Sequence, residues 1–215
     1  MAGKCFPLFV EIEDREILIF GATGHAVGKI RRFAEFGARV FVVAPAFDEA
    51  VTALEKQGKI HTVCGDFSCF TALLSEKNPV LVYALLENTD EAAALLAVCQ
   101  ARGIPLNVED KSPYCTFTFP SVISRGKLTV GICTGGASPT VSKKLREQIE
   151  PLLPDAIGDI LGWLQALRPV IQQNKALTPR ARTALWRRLA DLAFAEDRTL
   201  TADEVQTLIA AFEET

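Results

Sequence analysis

The sequence predicts an α/β protein, in which a doubly wound parallel sheet is followed by a small α+β segment and a C-terminal helical domain. Three observations lead to this prediction. A short apolar run, Ile17 to Phe20, precedes a glycine-punctuated turn and then apolar residues at helical spacing. Strand-like and helix-like segments alternate from there to Asp110, as parallel crossovers require. From Ser138 onward, every predicted element is a helix.

Length and composition bound the class of protein. With 215 residues and a hydrophobic share of 49%, the chain can form one large domain or a domain with an appendage. The net charge of −3 gives no electrostatic case for nucleic acid or an anionic membrane as partner. The longest apolar run, Ala92 to Cys99, is too short to span a bilayer. Residues 1–7 contain no apolar core of signal-peptide length, so we expect a soluble, cytoplasmic protein.

The cysteines and histidines give no pattern typical of a metal site. Six cysteines are scattered without a C-x-x-C pair, and we expect reduced, buried small residues. Only His25 and His61 could supply imidazole ligands, so a conventional zinc cluster is not expected and no metal ligand is assigned.

The first half of the chain divides into alternating elements. Residues Phe6 to Glu13 are expected to form an extended lead-in near the sheet edge. The strands are predicted at Ile17–Phe20, Arg39–Ala44, Ile60–Cys64, Val80–Leu85 and Pro105–Val108. The helices between them are predicted after the glycine turn as far as Gly37, and at Glu49–Gln57, Phe67–Glu76 and Asp90–Arg102. The uninterrupted apolar run Val80–Leu85 is typical of a strand covered by helices on both faces. Ligands of such a sheet bind in a crevice at the carboxyl ends of the strands.

The pattern changes after Asp110. Two strand-like runs, Thr116–Ile123 and Lys127–Ile132, are joined by Ser124-Arg125-Gly126, which predicts a hairpin. Helices are predicted at 138–150, 155–173, 179–195 and 202–213. We therefore divide the chain into residues 1–113, 114–150 and 151–215.

Helix-capping residues and tryptophans support the helical reading of the last part. Ser138 is expected as an N-cap with Pro139 at the first helical position, and Thr178-Pro179 repeats this arrangement. Thr201 and Glu204 have the spacing of a capping box. Trp163 and Trp186 fall at helical spacing with leucines and are expected in the core of the helical part.

The glycine turn after the first strand resembles the opening of a dinucleotide-binding βαβ unit, hence a Rossmann-like domain. In such a unit, backbone N–H groups and the positive end of the helix face a pyrophosphate. In the G-x-G-x-x-G/A pattern, Gly21 fits the first place and Ala26 the third, but Thr23 stands in the second. Gly24 and Gly28 could supply a different turn. From these residues alone, a nucleotide site and a turn that binds nothing both remain open.

Two carboxylates lie at the end of the last parallel strand. Asp110 is placed where side chains project into the crevice, so it could take or position a proton. The alternative is a turn-forming aspartate, helped by Ser112-Pro113. Glu109 should point the other way if the strand continues this far.

Two further features suit an anion. Thr134–Ser138 is a glycine-rich turn at a helix N-terminus, followed by three cations, Lys143, Lys144 and Arg146. A ligand rich in carboxylates would be stabilised there, although the lysines could equally form a solvated helix face. His25 lies in the first turn of the opening helix, near any bound phosphate, where capping or packing is the alternative role.

These segments together resemble the precorrin-2 dehydrogenase family, which includes the N-terminal module of multifunctional siroheme synthases. The resemblance covers Phe6 to Pro154, and the block from Asn107 to Glu147 is the most specific. Its markers include Phe6-Pro7-Leu8-Phe9, Gly37-Ala38-Arg39-Val40, Val43-Ala44-Pro45, Asn107-Val108-x-Asp110, Phe117-x-Phe119-Pro120, Arg125-Gly126-x-Leu128-Thr129 and Thr134-Gly135-Gly136-Ala137-Ser138-Pro139.

The resemblance implies oxidation of precorrin-2 to sirohydrochlorin with NAD on the route to siroheme, and some relatives also insert ferrous iron. It implies a homodimer in which residues 114–150 exchange contacts with a partner and the helical tail completes a tetrapyrrole cleft. Asp110 falls on the family's essential aspartate, proposed as general base, so it is the expected catalytic residue. The expected cofactor-binding residues are Gly21, Ala22, Thr23, Gly24, His25, Ala26, Ala44, Pro45 and Leu85. The expected substrate-binding residues are Asn107, Thr134, Gly135, Gly136 and Ser138.

Two stretches depart from the family pattern, and both are on the cofactor side. The family has three consecutive glycines from position 21 and an arginine at position 28, where this chain has Gly21-Ala22-Thr23-Gly24 and Gly28. After the fourth strand, relatives read Ala-Ala-Thr-Asp-Asp or Asn, where this chain has Ala84-Leu85-Leu86-Glu87-Asn88. A preference for NAD or NADP is left open, because Asp48 lies a few residues beyond the end of the second strand.

Three functional hypotheses follow from the residues and the resemblance. The leading one is an NAD-dependent precorrin-2 dehydrogenase with a tetrapyrrole substrate. The second is a sirohydrochlorin ferrochelatase in which Asp110 accepts protons. The third is a tetrapyrrole-binding homologue that has lost NAD-dependent activity.

Overall fold

The structure is a computed structural model that describes residues 5–213. Residues 1–7 were predicted to contain no signal peptide, and the first four of them lie outside the described residues. The chain divides into two units, one ending at Thr118 and the other beginning at Phe119. The three-part division at residues 113 and 150 stays a prediction.

A five-stranded parallel sheet forms the centre of the first unit, in the order β3-β2-β1-β4-β5. Its strands are β1 (Glu16–Phe20), β2 (Arg39–Ala44), β3 (Ile60–Cys64), β4 (Leu81–Ala84) and β5 (Leu106–Val108). The sheet is doubly wound as predicted, with β2 on one side of β1 and β4 on the other. The junction of β1 and β4 is the topological switch point, where ligand crevices open in such sheets.

Four helices connect these strands: α1 (His25–Glu35), α2 (Glu49–Lys56), α3 (Phe67–Glu76) and α4 (Thr89–Ala101). Side chains cap two of them, because Asp66 accepts from the Cys69 amide at 3.0 Å and Asn88 accepts from the Asp90 amide at 2.8 Å. Val82 and Tyr83 are neighbours in β4 and point to opposite faces, yet both are completely buried. Both faces of β4 are therefore covered, as its apolar sequence predicted.

One prediction in the connecting segments was wrong. Residues 116–120 are not part of a strand, since β6 begins at Ser121. Thr116 instead pairs with the start of β5, where its amide donates to the Leu106 carbonyl at 2.7 Å. Pro120 has no N–H to donate to a ladder, which explains why regular pairing starts only after it. Residues 5–13 contain no helix or strand, and Phe6 is 86% exposed; the expected extended lead-in near the sheet edge stays a prediction.

The second unit consists of a hairpin and four long helices. β6 (Ser121–Arg125) and β7 (Leu128–Ile132) pair antiparallel, so the predicted hairpin is confirmed. The helices are α5 (Pro139–Ile149), α6 (Ile157–Gln173), α7 (Pro179–Glu196) and α8 (Ala202–Glu213). The capping predictions are confirmed: Ser138 accepts from the Val141 amide at 3.2 Å, Thr178 from the Ala181 amide at 3.1 Å, and Thr201 and Glu204 cap each other's amides.

The core of the second unit lies among α6, α7 and α8. Ile171, Leu185 and Leu189 are completely buried there. Trp163 and Trp186 pack against this cluster, as predicted from their spacing.

The cysteine prediction was only partly right. Cys99 is buried, but Cys64 and Cys133 are exposed and Cys69 and Cys115 are half-buried. Short turns and strand ends carry these exposed residues, a placement that their apolar character alone does not reveal. Within residues 5–213, we find no helix long and apolar enough to cross a membrane.

Candidate functional site

The carboxyl ends of β1, β4 and β5 lie side by side, because the hydrogen-bonding ladder continues one residue beyond each strand. Gly21 donates to Val43 at 2.9 Å, Leu85 to Phe20 at 2.8 Å and Glu109 to Ala84 at 2.9 Å. The glycine turn, the end of β4 and the two carboxylates of the β5 turn are thus brought to one edge of the sheet. This edge is the candidate site.

Only glycine fits at the first position of the turn. Gly21 has φ +93°, and a Cβ added there would lie 2.8 Å from the Cβ of Leu85. Ala26 is completely buried at the third position, where a small residue lets the helix approach the strand. Thr23, at the second position, is exposed, and its carbonyl accepts from the Ala26 amide at 2.9 Å.

The N-terminus of α1 is suited to an anion. Gly24 is its N-cap residue and has no side chain of its own with which to cap the helix. A Cβ added to Gly24 would meet nothing within 4 Å, so the space beside this turn is open. Open space beside the helix start and the close-packed Gly21 and Ala26 together fit the pyrophosphate of a dinucleotide.

Asp48 lies beside the same turn. Its carboxylate accepts a hydrogen bond from the Gly24 amide at 3.3 Å, although 24 residues separate them in sequence. In dinucleotide-binding domains, a carboxylate following the second strand recognises the ribose hydroxyls of NAD. Asp48 lies a few residues beyond the end of β2, which argued against this role in the sequence. The loop after β2 nevertheless places its carboxylate beside the glycine turn.

A half-buried cluster lies beneath the β5 turn. The Lys29 ammonium forms an ion pair with the Glu109 carboxylate, and the Tyr83 hydroxyl donates to the same carboxylate oxygen at 2.9 Å. Lys29 Nζ also lies 3.1 Å from the Tyr83 hydroxyl and 4.5 Å from the centroid of its ring. The expectation for Glu109 depended on β5 continuing this far; β5 ends at Val108, so the alternation of a strand does not decide the direction of Glu109.

The cluster has defined charges. Burial raises the pKa of Tyr83, and its bond to Glu109 raises it further, so Tyr83 is a neutral donor. Burial alone would raise the pKa of Glu109, but the hydrogen bonds from Lys29 and Tyr83 outweigh it and lower that pKa. Glu109 is therefore an anion and Lys29 its counter-ion. No residue spacing in the sequence indicates this cluster, since its members come from three distant segments.

Asp110 is exposed and has φ +55°, a left-handed conformation that is uncommon for residues other than glycine. It occupies the turn after β5, where the sequence predicted a catalytic carboxylate. Both expected roles, turn former and proton acceptor, are compatible with this placement.

The remaining cofactor candidates differ in accessibility. Ala22 and Ala44 are each 1% exposed, so neither side chain is accessible to a ligand. Pro45 and His25 are exposed, and Leu85 is half-buried against Gly21. His25 lies four residues before Lys29 in α1, so the two residues are on the same side of this helix.

The substrate candidates fall in both units. In the first unit, the Asn107 amide donates to the Phe117 carbonyl at 2.9 Å, so it also holds the chain after β5. In the second unit, the hydroxyl of Thr134 bonds the backbone of Ser138, which shapes the turn containing Gly135 and Gly136.

The three cations of α5 differ in availability. Lys143 and Lys144 are exposed, whereas Arg146 forms an ion pair with Glu150 at 3.0 Å. The two lysines are therefore the cations of this helix that are directed to solvent.

Comparison with known proteins identifies the family. Residues 8–121 match a family described as putative NAD(P)-binding, and residues 125–151 match the central part of sirohaem biosynthesis proteins. The chain belongs to the precorrin-2 dehydrogenase and siroheme synthase N-terminal module family. The expected assignment of NAD as cofactor agrees with the family description.

Curated relatives of this family are siroheme synthases. The siroheme synthase of Thiobacillus denitrificans is 33% identical over 184 residues, which cover 85% of this chain and 37% of that protein. Siroheme synthase 2 of Yersinia pestis is 34% identical over 79% of this chain and 35% of its own length. The chain thus spans about a third of the length of these relatives.

A solved structure matches the whole fold. SirC, a precorrin-2 dehydrogenase, superposes with a TM-score of 0.74 over 98% of this chain and 100% of its own. Its sequence identity is 17%, so this likeness concerns the fold. The predicted fold class, a Rossmann-like sheet followed by a helical part, is confirmed.

Proposed function

We propose that this chain oxidises precorrin-2 to sirohydrochlorin with NAD⁺, as a homodimer in the cytoplasm. The observation that carries the proposal is the common edge of the sheet, at which the glycine turn of an NAD(P)-binding family lies beside the turn of Asp110. An oxidation of this kind removes a hydride and a proton, so it needs an acceptor for each. One sheet edge offers a place for both.

The cofactor half of the proposal rests on the turn and on Asp48. Gly21 and Ala26 allow close packing, and the start of α1 would hold the pyrophosphate. Asp48 would hold the ribose hydroxyls, which favours NAD⁺ over NADP⁺, because the additional phosphate of NADP⁺ would be repelled by its carboxylate. When bound, NAD⁺ supplies the hydride acceptor.

The proton half of the proposal rests on Asp110. Its carboxylate is exposed at the end of the β5 turn, as a proton acceptor must be if it is to reach a bound substrate. Glu109, one residue earlier, is already paired with Lys29 and Tyr83. Asp110 is thus the carboxylate of this pair that is directed to solvent.

We assign substrate contacts to Asn107 and to the turn formed by Thr134, Gly135, Gly136 and Ser138. Backbone amides at the start of α5, with Lys143 and Lys144 nearby, suit the carboxylates of a tetrapyrrole precursor. The homodimer is supported by Val141 and Leu145, apolar residues one turn apart on α5 that are 47% and 38% exposed.

The test is anaerobic turnover of precorrin-2 by the purified chain, following NADH and sirohydrochlorin together. We expect one NADH for each sirohydrochlorin. We expect Asp110→Ala to lower kcat by at least about 100-fold, the range for loss of a general base. Asp14→Ala is the matched control, because Asp14 has φ +56° but lies before β1, at the opposite edge of the sheet.

The alternatives make different predictions in the same assay. Unchanged turnover in Asp110→Ala would remove this residue from the mechanism. Insertion of ferrous iron into sirohydrochlorin without any NADH formation would favour the ferrochelatase. Binding of the tetrapyrrole without either reaction would favour a homologue that has lost catalysis.

A further inference from the structure

The turn that carries Asp110 is anchored on both sides. On one side, the Glu109 carboxylate is bound by Lys29 from α1 and by Tyr83 from β4. On the other side, the Lys111 ammonium donates to the Glu87 carbonyl at 2.9 Å. Asp110 itself lies between these two anchored neighbours.

The anchors are needed because the conformation of Asp110 is unfavourable. A left-handed backbone is unfavourable for an L-residue, although aspartate tolerates it better than most. A short turn with one such residue relaxes unless its surroundings hold it. The Glu109 side chain supplies a fixed point on the residue directly before this φ angle.

We propose that Glu109 is a positioning residue, and that its ion pair with Lys29 and its hydrogen bond from Tyr83 hold Asp110 in the left-handed turn at the sheet edge. This rests on the proposed function, in which Asp110 is the proton acceptor. Glu109 does not touch substrate in this proposal. It acts through the backbone that it shares with Asp110.

The charge arrangement supports the same role. Lys29 and Glu109 have side-chain exposures of 24% and 22%, so their attraction is screened only in part by water. Tyr83 is completely buried, and its hydroxyl donates to Glu109 and accepts from Lys29.

A second ion pair in the same sheet provides a control. Glu16 and Lys77 lie 3.0 Å apart with side-chain exposures of 21% and 20%, which closely resemble those of Glu109 and Lys29. Glu16 begins β1, so this pair lies at the amino edge of the sheet, away from the candidate site. Loss of either pair should affect folding to a similar extent, whereas only loss of Glu109 should affect catalysis.

The experiment compares Glu109→Gln, Tyr83→Phe and Glu16→Gln in the full chain. Because misplacing a reacting group by about 1 Å can cost up to 100-fold, we expect Glu109→Gln to lower kcat by at least about tenfold, with the KM for NAD⁺ within about twofold. Tyr83→Phe should cause a smaller fall of the same kind. Glu16→Gln should leave kcat within about twofold at a similar change in Tm. A fall in kcat no larger in Glu109→Gln than in Glu16→Gln would overturn the proposal.

The proposal can be separated from the proposed function. If the wild-type chain does not oxidise precorrin-2, the proposed function fails, and crystal structures of the wild-type chain and of Glu109→Gln then decide the positioning role. A negative φ at Asp110 in the variant, with a positive φ in the wild type, would support the role of Glu109. The same left-handed Asp110 in both proteins would overturn it.

Discussion

At the scale of single residues, Gly21 sets the geometry of the candidate cofactor turn. Its φ of +93° and the 2.8 Å approach of Leu85 both exclude a side chain. We predict that Gly21→Ala weakens NAD⁺ binding at least about tenfold, since the turn must shift to relieve a clash of this size. Calorimetric titration measures the change.

Gly28 provides the matched control for this variant. It lies in the interior of α1, and a Cβ added there meets nothing within 4 Å. Gly28→Ala should keep NAD⁺ binding within about twofold and raise the free energy of unfolding by up to about 1 kcal/mol, because alanine is the better helix former. Equal NAD⁺ binding in Gly21→Ala and Gly28→Ala would contradict the role assigned to the turn.

Single residues also show where sequence reasoning stops. The position of Asp110 directly after the last parallel strand could be predicted, because it depends only on where a strand ends. The direction of Glu109 could not be predicted, because β5 ends at Val108 and strand alternation does not extend to the next residue. Lys29 and Tyr83 are 54 residues apart, and only the assembled sheet shows that they meet.

At the scale of elements, α6 is capped by a residue from another helix end. Asp197 follows α7 in a left-handed conformation, and its carboxylate accepts from the amides of Asp155 at 3.1 Å and Ala156 at 2.8 Å. We predict that Asp197→Ala lowers the free energy of unfolding by about 2 kcal/mol, because both the cap and the tolerance of positive φ are lost. Urea unfolding gives the value.

Two further variants separate the loss of the cap from the loss of the backbone conformation and from a general surface effect. Asp197→Gly keeps the backbone conformation and loses only the cap, so its loss should be smaller. Asp191→Ala, at an exposed position in α7, should change stability by less than about 0.5 kcal/mol. If Asp197→Ala behaved like Asp191→Ala, the cap would contribute nothing measurable.

The start of α8 makes a pH-dependent contribution to the free energy of unfolding. Hydrogen bonds from Arg198 and the Thr201 amide lower the pKa of Glu204 from 4.5 to about 2. A carboxyl with a lowered folded-state pKa stabilises the fold above its unfolded value, and this stabilisation is lost as the pH falls toward the folded value. We predict that the free energy of unfolding decreases between pH 4.5 and about pH 2 and that Glu204→Gln flattens this decrease.

Measurement of urea unfolding across that pH range tests the prediction. Glu204→Gln should differ most from the wild type at neutral pH and converge with it at the acid end. Parallel curves at every pH would show that the exposed pair of Arg198 and Glu204 is fully screened by solvent.

Element prediction succeeded where local signals were strong. The capped helices of the second unit begin within two residues of their predicted starts, because Ser138, Thr178 and Thr201 act on their own helices. It failed at residues 116–120, where an apolar alternation continues through a segment whose hydrogen bonds go to the start of β5 instead. Apolar alternation indicates that one side of a segment is partly buried. Residues 116–120 are partly buried in this way without being a strand.

At the scale of the whole molecule, the assembly proposed is a homodimer. Each chain has a mass of 23.4 kDa, so sedimentation should give about twice that value at micromolar concentrations. Leu145→Glu, which places a charge on an exposed apolar position of α5, should weaken the dimer if that helix contributes to the interface. A monomer at all concentrations would contradict the proposed assembly.

The whole fold could be predicted from the alternation of elements and the family resemblance, and the likeness to SirC confirms it. Whether the cofactor turn binds NAD could not be predicted from the sequence. Two departures from the family pattern argue against binding, whereas the backbone geometry of the turn favours it. Sequence motifs record which side chains are present. They do not record whether Thr23 faces solvent or fills the space that a pyrophosphate needs.

Calorimetric titration of the purified chain with NAD⁺, repeated with NADP⁺, tests this central claim most directly. Our account predicts a micromolar to sub-millimolar dissociation constant for NAD⁺ and binding of NADP⁺ that is at least about tenfold weaker, because Asp48 would face the additional phosphate. No binding of NAD⁺ at millimolar concentration would contradict the account. The sheet would then be a scaffold for a tetrapyrrole-binding or chelatase role.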